Sequence, residues 1–313
     1  EGGRVFLKAS QDAYVDGNGR IVTTGTRGGS VEVLGNRVAV MDKAEIDASG
    51  TGEADGGGGR ILVGGDYQGK NPDVQNANVS YFGPDATLKA DAGKVGDGGT
   101  VIIWSDDTTR AYGKISARGG AEGGDGGFVE TSGHRALDVA GARVDTRASN
   151  GKTGNWLLDP TDIQIISGPY GGIFIGGYGT PFDPLANSVI TDGDVNNSLG
   201  LTNLTIQTKT GTGGNGNITA TGVNINNFAG GGSTSLSLLA YGGGTATGNI
   251  TISGSQFNLQ NAGLTLIAGW DGNAGTNLAA ADGTNGSLTI TDSMLSAGAI
   301  AMKAVADISA IGV

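Results

Sequence analysis

Apolar and polar residues alternate in short stretches along the chain, and several of these stretches open on a pair of glycines. The copies are GGRVFLKA at 2–9, GGSVEVLG at 28–35, GGRILVGG at 58–65, GGTVIIWS at 98–105, GGFVETSG at 126–133 and the degenerate GNWLLDP at 154–160. Alternation with a period of two residues is typical of a β-strand that buries one face. Successive copies begin 26, 30, 40, 28 and 28 residues apart, which predicts a structural repeat of about 28 residues.

Two further apolar phrases follow within each repeat, so each repeat predicts three short strands. One is a phrase such as AEIDASG at 44–50, and the other is a shorter pair such as Val38 and Val40. A single turn of chain cannot bury its Val and Ile side chains alone, but turns stacked about 4.8 Å apart can. The pattern predicts an all-β parallel β-helix, a solenoid with loop insertions, in which Val5 lies over Val31 and Val31 over Ile61. Roughly eleven coils at this spacing would make a rod on the order of 50 Å long.

Changes in the repeated sequence motif divide the chain into three parts. Residues 1–166 carry the Gly-Gly repeat, residues 167–186 form a Pro-rich connection predicted to be irregular, and residues 187–313 continue the solenoid with Thr- and Asn-rich phrases. In this last part Leu204, Leu236 and Leu264 are predicted to stack. The one spacing of 40 residues indicates an insertion at 64–85, predicted to be a loop that projects from the rod.

Composition narrows the classes of function. The 313 residues include 62 Gly and no Cys, so the fold must depend on packing and hydrogen bonds without disulfides. The net charge of −11 disfavours nucleic acid as a partner, because an acidic surface repels phosphate. No apolar run approaches the length of about 18 residues that spans a bilayer, so direct membrane insertion is not expected. The chain begins at Glu1 and still alternates over 299–313, so we expect it to be a segment of a longer protein.

Four phrases of the first part resemble a known family. They are GGDYQG at 64–69, ATLKADAG at 86–93, the run from 98 to 133, and VDTRASNGKTGNWLLDPTDIQI at 144–165. Over about residues 1–166 the chain resembles the large exoproteins of two-partner secretion, which are adhesins of the filamentous-haemagglutinin type and include biofilm-matrix adhesins.

The resemblance implies a right-handed β-helix and export through an outer-membrane secretion partner. It also implies a secreted, extracellular or cell-surface location in a Gram-negative bacterium, with a polysaccharide or a neighbouring cell as the binding partner. Some relatives are haemolysins or haem-scavenging proteins, so the resemblance does not fix the ligand.

Clusters of Gly and Asp are the candidate metal sites, with Asp97 and Asp125 as candidate calcium ligands. Calcium needs about six to eight oxygen ligands, whereas each cluster supplies one or two acids. We therefore expect plain corner turns, with no metal and no cofactor. His134 is the only histidine, and without further His or Cys ligands for zinc we expect it to be an ordinary surface residue.

Two pairs of carboxylates are candidates for the catalytic acids of a polysaccharide lyase or glycosidase. They are Asp106 with Asp107, and Asp159 with Asp162. A glycosidase needs two carboxyl groups roughly 5–9 Å apart in a cleft. Neighbours on a strand point to opposite faces, and Asp159 ends a strand, so we expect no catalytic residues and no enzyme activity.

Aromatic side chains are the candidates for sugar binding, because a ring face can stack on a sugar. Tyr67, Tyr81 and Phe82 are predicted to lie on the inserted loop and are the binding candidates. The tryptophans lie within or just after predicted strands and are expected to pack: Trp104, Trp156 and Trp270.

Together these patterns predict a structural rod, the stalk of a secreted adhesin that mediates cell–cell, cell–matrix or host attachment. A carbohydrate-binding module is the alternative, and an enzyme acting on polysaccharide is the third hypothesis. Because a solenoid cut across its axis exposes unpaired strands, end-to-end or lateral self-association is also expected.

Overall fold

The computed structural model describes residues 2–172, 181–183, 185–209, 214–227, 234–272 and 283–313. Within these residues the chain forms short strands, one α-helix and one 3₁₀ turn at Tyr67–Gly69. The elements up to the middle of the chain are β1 (Arg4–Lys8), β2 (Asp12–Val15), β3 (Arg20–Val22), β4 (Ser30–Leu34), β5 (Arg37–Val40), β6 (Glu45–Asp47), β7 (Arg60–Val63), β8 (Val79–Phe82), β9 (Thr87–Lys89), β10 (Thr100–Ser105), β11 (Thr108–Ala111), β12 (Lys114–Ser116), β13 (Phe128–Gly133), β14 (Ala136–Asp138) and β15 (Arg143–Asp145). The others are β16 (Asn155–Leu158), β17 (Ile163–Ile166), β18 (Val189–Thr191), α1 (Asp192–Leu199), β19 (Asn203–Gln207), β20 (Ile218–Thr221), β21 (Asn224–Asn226), β22 (Leu236–Tyr241), β23 (Ile250–Ser253), β24 (Gln256–Asn258), β25 (Gly263–Trp270), β26 (Leu288–Thr291), β27 (Met294–Ser296), β28 (Ala299–Ala304) and β29 (Ile308–Ile311).

The strands stack into three walls, which confirms the predicted parallel β-helix. The first wall is a 10-stranded sheet in the order β1-β4-β7-β10-β13-β16-β19-β22-β25-β28. The second is an 11-stranded sheet in the order β2-β5-β8-β11-β14-β18-β17-β20-β23-β26-β29. The third consists of β3, β6, β9, β12 and β15, then α1, then β21, β24 and β27. At about 4.8 Å per strand, the first wall is on the order of 45 Å tall.

Equivalent apolar side chains lie above one another along the stack. The predicted pairings of Val5 with Val31 and of Val31 with Ile61 are confirmed. The same column then runs through Val101, Val129, Trp156, Leu204, Leu236 and Leu264. These columns build one apolar core that extends from Ala13 to Ile290. Each Val, Leu or Ile buried there contributes about 1.5–3 kcal/mol relative to exposure.

Polar side chains at the corners bond from one coil to the next. Asn217 Oδ1 accepts a hydrogen bond from Asn249 N at 2.8 Å, and Asn249 Oδ1 accepts one from Ser287 N at 2.9 Å. Asn150 Nδ2 donates to the Ala121 carbonyl oxygen at 2.9 Å. These bonds satisfy backbone groups that the strand ladders leave unpaired at the corners.

The glycine pairs stand where two coils approach most closely, just before the first wall. A Cβ on Gly98 would lie 2.1 Å from the Ala117 carbonyl oxygen and 2.5 Å from Gly127 N. A Cβ on Gly99 would lie 2.1 Å from the Gly59 carbonyl oxygen. All three neighbours are backbone atoms, so the stack itself would have to open to admit a side chain.

We expect Gly98→Ala to lower the free energy of unfolding by about 3 kcal/mol, because overpacking against backbone forces the coils apart. Urea denaturation measures the change. Gly123→Ala is the matched control, since a Cβ there meets only Val95 Cγ1, at 3.9 Å. Equal urea midpoints for the two variants would show that the close approach does not require glycine.

The regular repeat is interrupted between β16 and β19. Both β17 and β18 join the second wall, which therefore has one strand more than the first. In the third wall α1 replaces a strand, and its Val195 and Leu199 side chains are fully buried in the core. The described residues of the predicted connection at 167–186 lie in no strand or helix, and its residues 173–180 and 184 lie outside the described residues. No helix in the described part of the chain has the length and apolar character needed to span a membrane.

The inserted segment differs from the prediction of a loop over 64–85. β8 occupies Val79–Phe82 and pairs with β5 and β11, so the placement of Tyr81 and Phe82 on a projecting loop is wrong. The reason is that Phe82 completes a core column between Val40 and Ala111. The remaining residues, 64–78, fold back over the outer face of the first wall, and we call them the covering loop.

Candidate functional site

The covering loop buries side chains that strand alternation alone would leave in solvent. Tyr67 and Val74 pack against Leu62, Ile102 and Trp104 on the outer face of β7 and β10. The outer face of the first wall is therefore a second buried layer at this level of the rod.

Asp66 anchors the start of the covering loop. Its carboxylate pairs with the Arg60 guanidinium and accepts hydrogen bonds from Asn71 Nδ2 at 2.6 Å and from Tyr67 N at 2.7 Å. This network fixes the 3₁₀ turn and, with it, the position of Gln68.

Gln68 connects the covering loop to the wall below. Its φ of 53° and ψ of 23° are left-handed, which is unfavourable for Gln. Its backbone N–H donates to Glu130 Oε2 at 3.2 Å. The Gln68 side chain is buried, and neither Oε1 nor Nε2 has a hydrogen-bond partner. A strained turn thus brings a backbone N–H to a buried carboxyl group and buries an amide side chain in the covering loop.

Glu130 and Asp159 form a buried pair of carboxyl groups beneath this loop, and we call them the acid pair. Glu130 is in register with Leu157, and Asp159 follows two residues later, so both point to the outer face. Both residues have 0% exposure. Glu130 Oε1 and both carboxylate oxygens of Asp159 lack hydrogen-bond partners. A buried carboxylate without partners is costly, so the site favours the protonated forms.

Burial shifts the pKa of both acids upward. Burial, followed by the charge of Asp159, raises the pKa of Glu130 to about 8. Burial also raises the pKa of Asp159 to about 6, although the neighbouring Gln207 amide and the Lys209 ammonium favour its charged form. At pH 7 the acid pair therefore retains a proton.

Lys209 follows β19, the strand next to Asp159. Its backbone N–H donates to the Pro160 carbonyl oxygen at 3.2 Å, and its side chain is half-buried. Burial and the charge of Lys70 lower the pKa of Lys209, while the charges of Asp159 and Glu130 oppose that shift. The same surroundings thus bias two acids and one amine towards their neutral forms.

The acid pair is not arranged like the carboxyl groups of a glycosidase, which must flank a bond in an open cleft. Both acids are fully buried, so a polymeric substrate does not reach them in this conformation. Burial, with the charges of Glu130 and Asp159, also raises the pKa of Tyr67 to about 12. The chemistry that this closed site can support is therefore chemistry among its own side chains.

The two candidate calcium ligands bond to backbone at a stacked corner. Asp97 Oδ1 accepts a hydrogen bond from Asp125 N at 2.7 Å, and Asp125 Oδ1 accepts one from Lys152 N at 2.8 Å. Among the described residues, no group of three or more His, Cys, Asp or Glu side chains could hold a metal ion.

The other acids singled out in the sequence also have structural partners. Asp106 Oδ1 accepts from Trp104 Nε1 at 3.1 Å, and Asp107 makes a two-point ion pair with Arg135 that lowers the pKa of Asp107. Asp162 accepts from the backbone N–H of Asn217 at 2.7 Å. The acid whose pKa responds to the charge of Asp159 is Glu130, not Asp162.

His134 lies at the border of the covered site. Its ring centroid is 6.2 Å from that of Trp104, and its backbone N–H donates to the Ser105 carbonyl oxygen at 2.9 Å. Its charge favours the ionised form of Asp159.

Most of the candidate aromatic residues are closed to a sugar. Tyr81 is 7% exposed and Phe82 0%. The three tryptophans are packed as expected, at 2%, 0% and 1% exposure for Trp104, Trp156 and Trp270. Tyr67 is the one binding candidate that is partly exposed, but its ring packs edge-on against Phe128 with centroids 5.7 Å apart.

A groove of about 790 Å³ runs along the corner that precedes the first wall. Its lining consists largely of glycines between 2 and 124 and includes the charged residues Arg4, Arg27, Arg60, Asp55 and Asp97. Arg27 and Asp55 face each other as an exposed ion pair at 3.0 Å. The described lining contains no aromatic side chain.

No protein-family model matches the sequence, and no curated protein matches it.

Proposed function

We propose that this chain is a structural rod, a segment of the stalk of a secreted bacterial adhesin. The observation that carries the proposal is the continuity of the stack: from β4 to β25, every strand of the first wall is hydrogen-bonded to a strand on each side. A single apolar core runs beneath these strands. In a solenoid each coil contacts only its neighbours, so length is added without changing the architecture.

The phrases over residues 1–166 that resemble two-partner-secretion exoproteins support the cellular part of this proposal. In that setting an outer-membrane secretion partner exports the chain to the surface of a Gram-negative bacterium. The rod then holds a binding region away from the cell, and its contribution is reach and stiffness.

Electron microscopy of the full-length protein tests the proposal. We expect unbranched rods whose length increases with the number of coils. End-to-end particles of this segment would agree with the proposal, because β1 and β28 each have a strand neighbour on one side only. A compact, roughly spherical full-length particle would contradict it.

The corner groove favours a second candidate function, the binding of a polysaccharide. The exposed Arg27–Asp55 pair offers a hydrogen-bond donor and an acceptor for sugar hydroxyl groups, and the glycines of the lining leave room for an extended chain. The groove spans several coils, so a repeating polymer could meet equivalent groups from coil to coil.

Glycan-array binding of this segment tests that candidate. We expect Arg27→Ala to weaken any binding about 10-fold, since a lost charged hydrogen bond is worth about 1.5–3 kcal/mol. Arg20→Ala is the control, because Arg20 pairs with Glu45 outside the groove. Absence of binding to every glycan, or equal loss in both variants, would reject the groove as a binding site.

A further inference from the structure

Lys209, Asp159 and Glu130 lie on one face of the first wall, beneath the covering loop. β13, β16 and β19 are consecutive strands of that wall, and these residues lie on or directly after them. The bond from Lys209 N to the Pro160 carbonyl oxygen extends the pairing of β19 with β16 past Asp159. By alternation, Lys209 and Asp159 then project to the same side.

The spacing allows the lysine to reach the acid. One strand spacing and two residues of rise separate the Cα atoms of Lys209 and Asp159 by about 8 Å. An extended lysine and an aspartate together span that distance. The Asp159 oxygens make no hydrogen bond of good geometry, although the Gln207 amide lies near enough to favour the charged form, so the amine has little to displace.

We propose that the chain closes an intramolecular isopeptide bond between Lys209 Nζ and Asp159 Cγ, with Glu130 transferring the protons. The neutral amine of Lys209 attacks the carboxyl carbon of protonated Asp159, and a C–N bond forms. Glu130 accepts a proton from the nitrogen and delivers a proton to the departing hydroxyl group. One C–O bond breaks and one water leaves, with no change in oxidation state, so no oxidant or reductant is needed.

Burial biases the three side chains towards the protonation states that this step requires. Water-poor surroundings favour an uncharged amine and uncharged carboxyl groups, and the pKa values of all three side chains are shifted in that direction. The nearby Lys70 charge adds to the shift of Lys209. In the open chain, exposed to water, the same three groups would be ionised and unreactive.

The product would also satisfy polar atoms that now lack partners. The new amide N–H can donate to Glu130 Oε1, and the amide oxygen can accept from Gln207 Nε2. Each of these two atoms is buried and unbonded in the present structure.

The position of the bond gives it a structural role. Residues 159 and 209 bracket the interruption of the repeat, which contains β17, the Pro-rich connection, β18 and α1. A covalent link across this segment would close a loop of about 50 residues and limit its unfolding. The rod would then be tied at the level where its repeat is least regular.

Mass spectrometry of the folded segment tests the proposal. We expect an intact mass about 18 Da below that of the sequence, because one water is lost. The sequence has no Lys or Arg between Lys152 and Lys209, or between Lys209 and Lys303. Trypsin should therefore fail to cleave after Lys209 and release a single 153–303 peptide that carries the whole mass loss.

Matched variants separate this bond from other dehydrations. Lys209→Arg and Glu130→Gln should keep the full mass, whereas Lys70→Arg, at an exposed neighbouring position, should retain the loss. A succinimide at an Asp-Gly step would leave Lys209 cleavable and would persist in Lys209→Arg. Circular dichroism verifies that each variant folds, and if Glu130→Gln does not, Lys209→Arg alone decides whether the bond exists.

An intact mass equal to the sequence mass, or a mass loss that persists in Lys209→Arg, overturns the proposal. A mass loss that persists in Glu130→Gln overturns the role of Glu130.

Discussion

Raising the pH from 5 to 9 should lower the free energy of unfolding of the unsubstituted protein by about 4 kcal/mol, and the Glu130→Gln variant should not show this loss. In the unfolded chain Glu130 ionises with the ordinary pKa of 4.5. In the folded protein its pKa is raised to about 8, so it ionises only at higher pH. Below pH 4.5 both states hold the proton. Between these values the free energy of unfolding falls by about 1.4 kcal/mol per pH unit, and above pH 8 it levels off. The substituted glutamine has no ionisable group, so the variant lacks this loss.

Urea denaturation at pH 5, 7 and 9 measures the difference between the two profiles. Glu53→Gln is the control, because Glu53 lies on the surface with 82% of its side chain exposed, and its profile should follow that of the unsubstituted protein. Burial is the largest cause of the shift, so the effect should persist whether or not Asp159 is joined to Lys209. Parallel profiles for Glu130→Gln and the unsubstituted protein would contradict the assignment of a buried, protonated Glu130.

Trp156→Ala should lower the free energy of unfolding by about 4 kcal/mol, the usual cost of removing a large aromatic side chain from a core. Trp156 is fully buried in the column between Val129 and Leu204. Its Nε1 donates to Thr131 Oγ1 at 2.9 Å, so the variant also leaves a buried hydroxyl group without that donor.

Hydrogen exchange should show where the loss falls. Because each coil contacts only its neighbours, protection should decrease in β13, β16 and β19 and remain in coils far from them. Met294→Ala, at a position 50% exposed, should change the urea midpoint little. A uniform loss of protection along the whole chain would show that the rod unfolds as one unit.

The parts of the fold that repeat could be predicted from the sequence, because stacking places the same demand on every coil. One column contains Val5, Val31 and Ile61, because each is the first apolar residue of its copy of the repeated motif. Equivalent positions in the later copies also place Leu204, Leu236 and Leu264 above one another. Phe82 is harder to place. It lies in a segment rich in Asn and flanked by Pro, and only its register with Val40 shows that it belongs to the core.

The helix α1 also lies outside the repeat signal, since DGDVNNSL is mostly polar. A local signal does exist at its start: Thr191 Oγ1 accepts from Asp194 N at 3.0 Å and donates to Asp194 Oδ2 at 2.8 Å. Thr191 is thus the N-cap of α1, and its hydroxyl group also binds the Asp194 side chain.

The acid pair could not be found by alternation, because Glu130 and Asp159 occupy positions that read as solvent-facing. They are buried only because a loop that lies 62 residues before Glu130 folds over them. The alternation of apolar and polar residues within one strand cannot show that a distant segment of the chain covers its outer face. A clue is present in the surplus of residues between the third and fourth Gly-Gly phrases, which has to lie somewhere on the rod.

The extra strand of the second wall has a mechanical consequence. β18 is inserted between β14 and β17 in the second wall, and the first wall has no corresponding strand. It resembles an edge dislocation, an extra row that ends inside a crystal lattice. Hydrogen-bonded strands continue above and below the insertion in both walls. The second wall, however, is taller than the first by one strand spacing, about 4.8 Å. A column with flanks of unequal height leans away from the taller one, so we expect the axis of the solenoid to bend at this level.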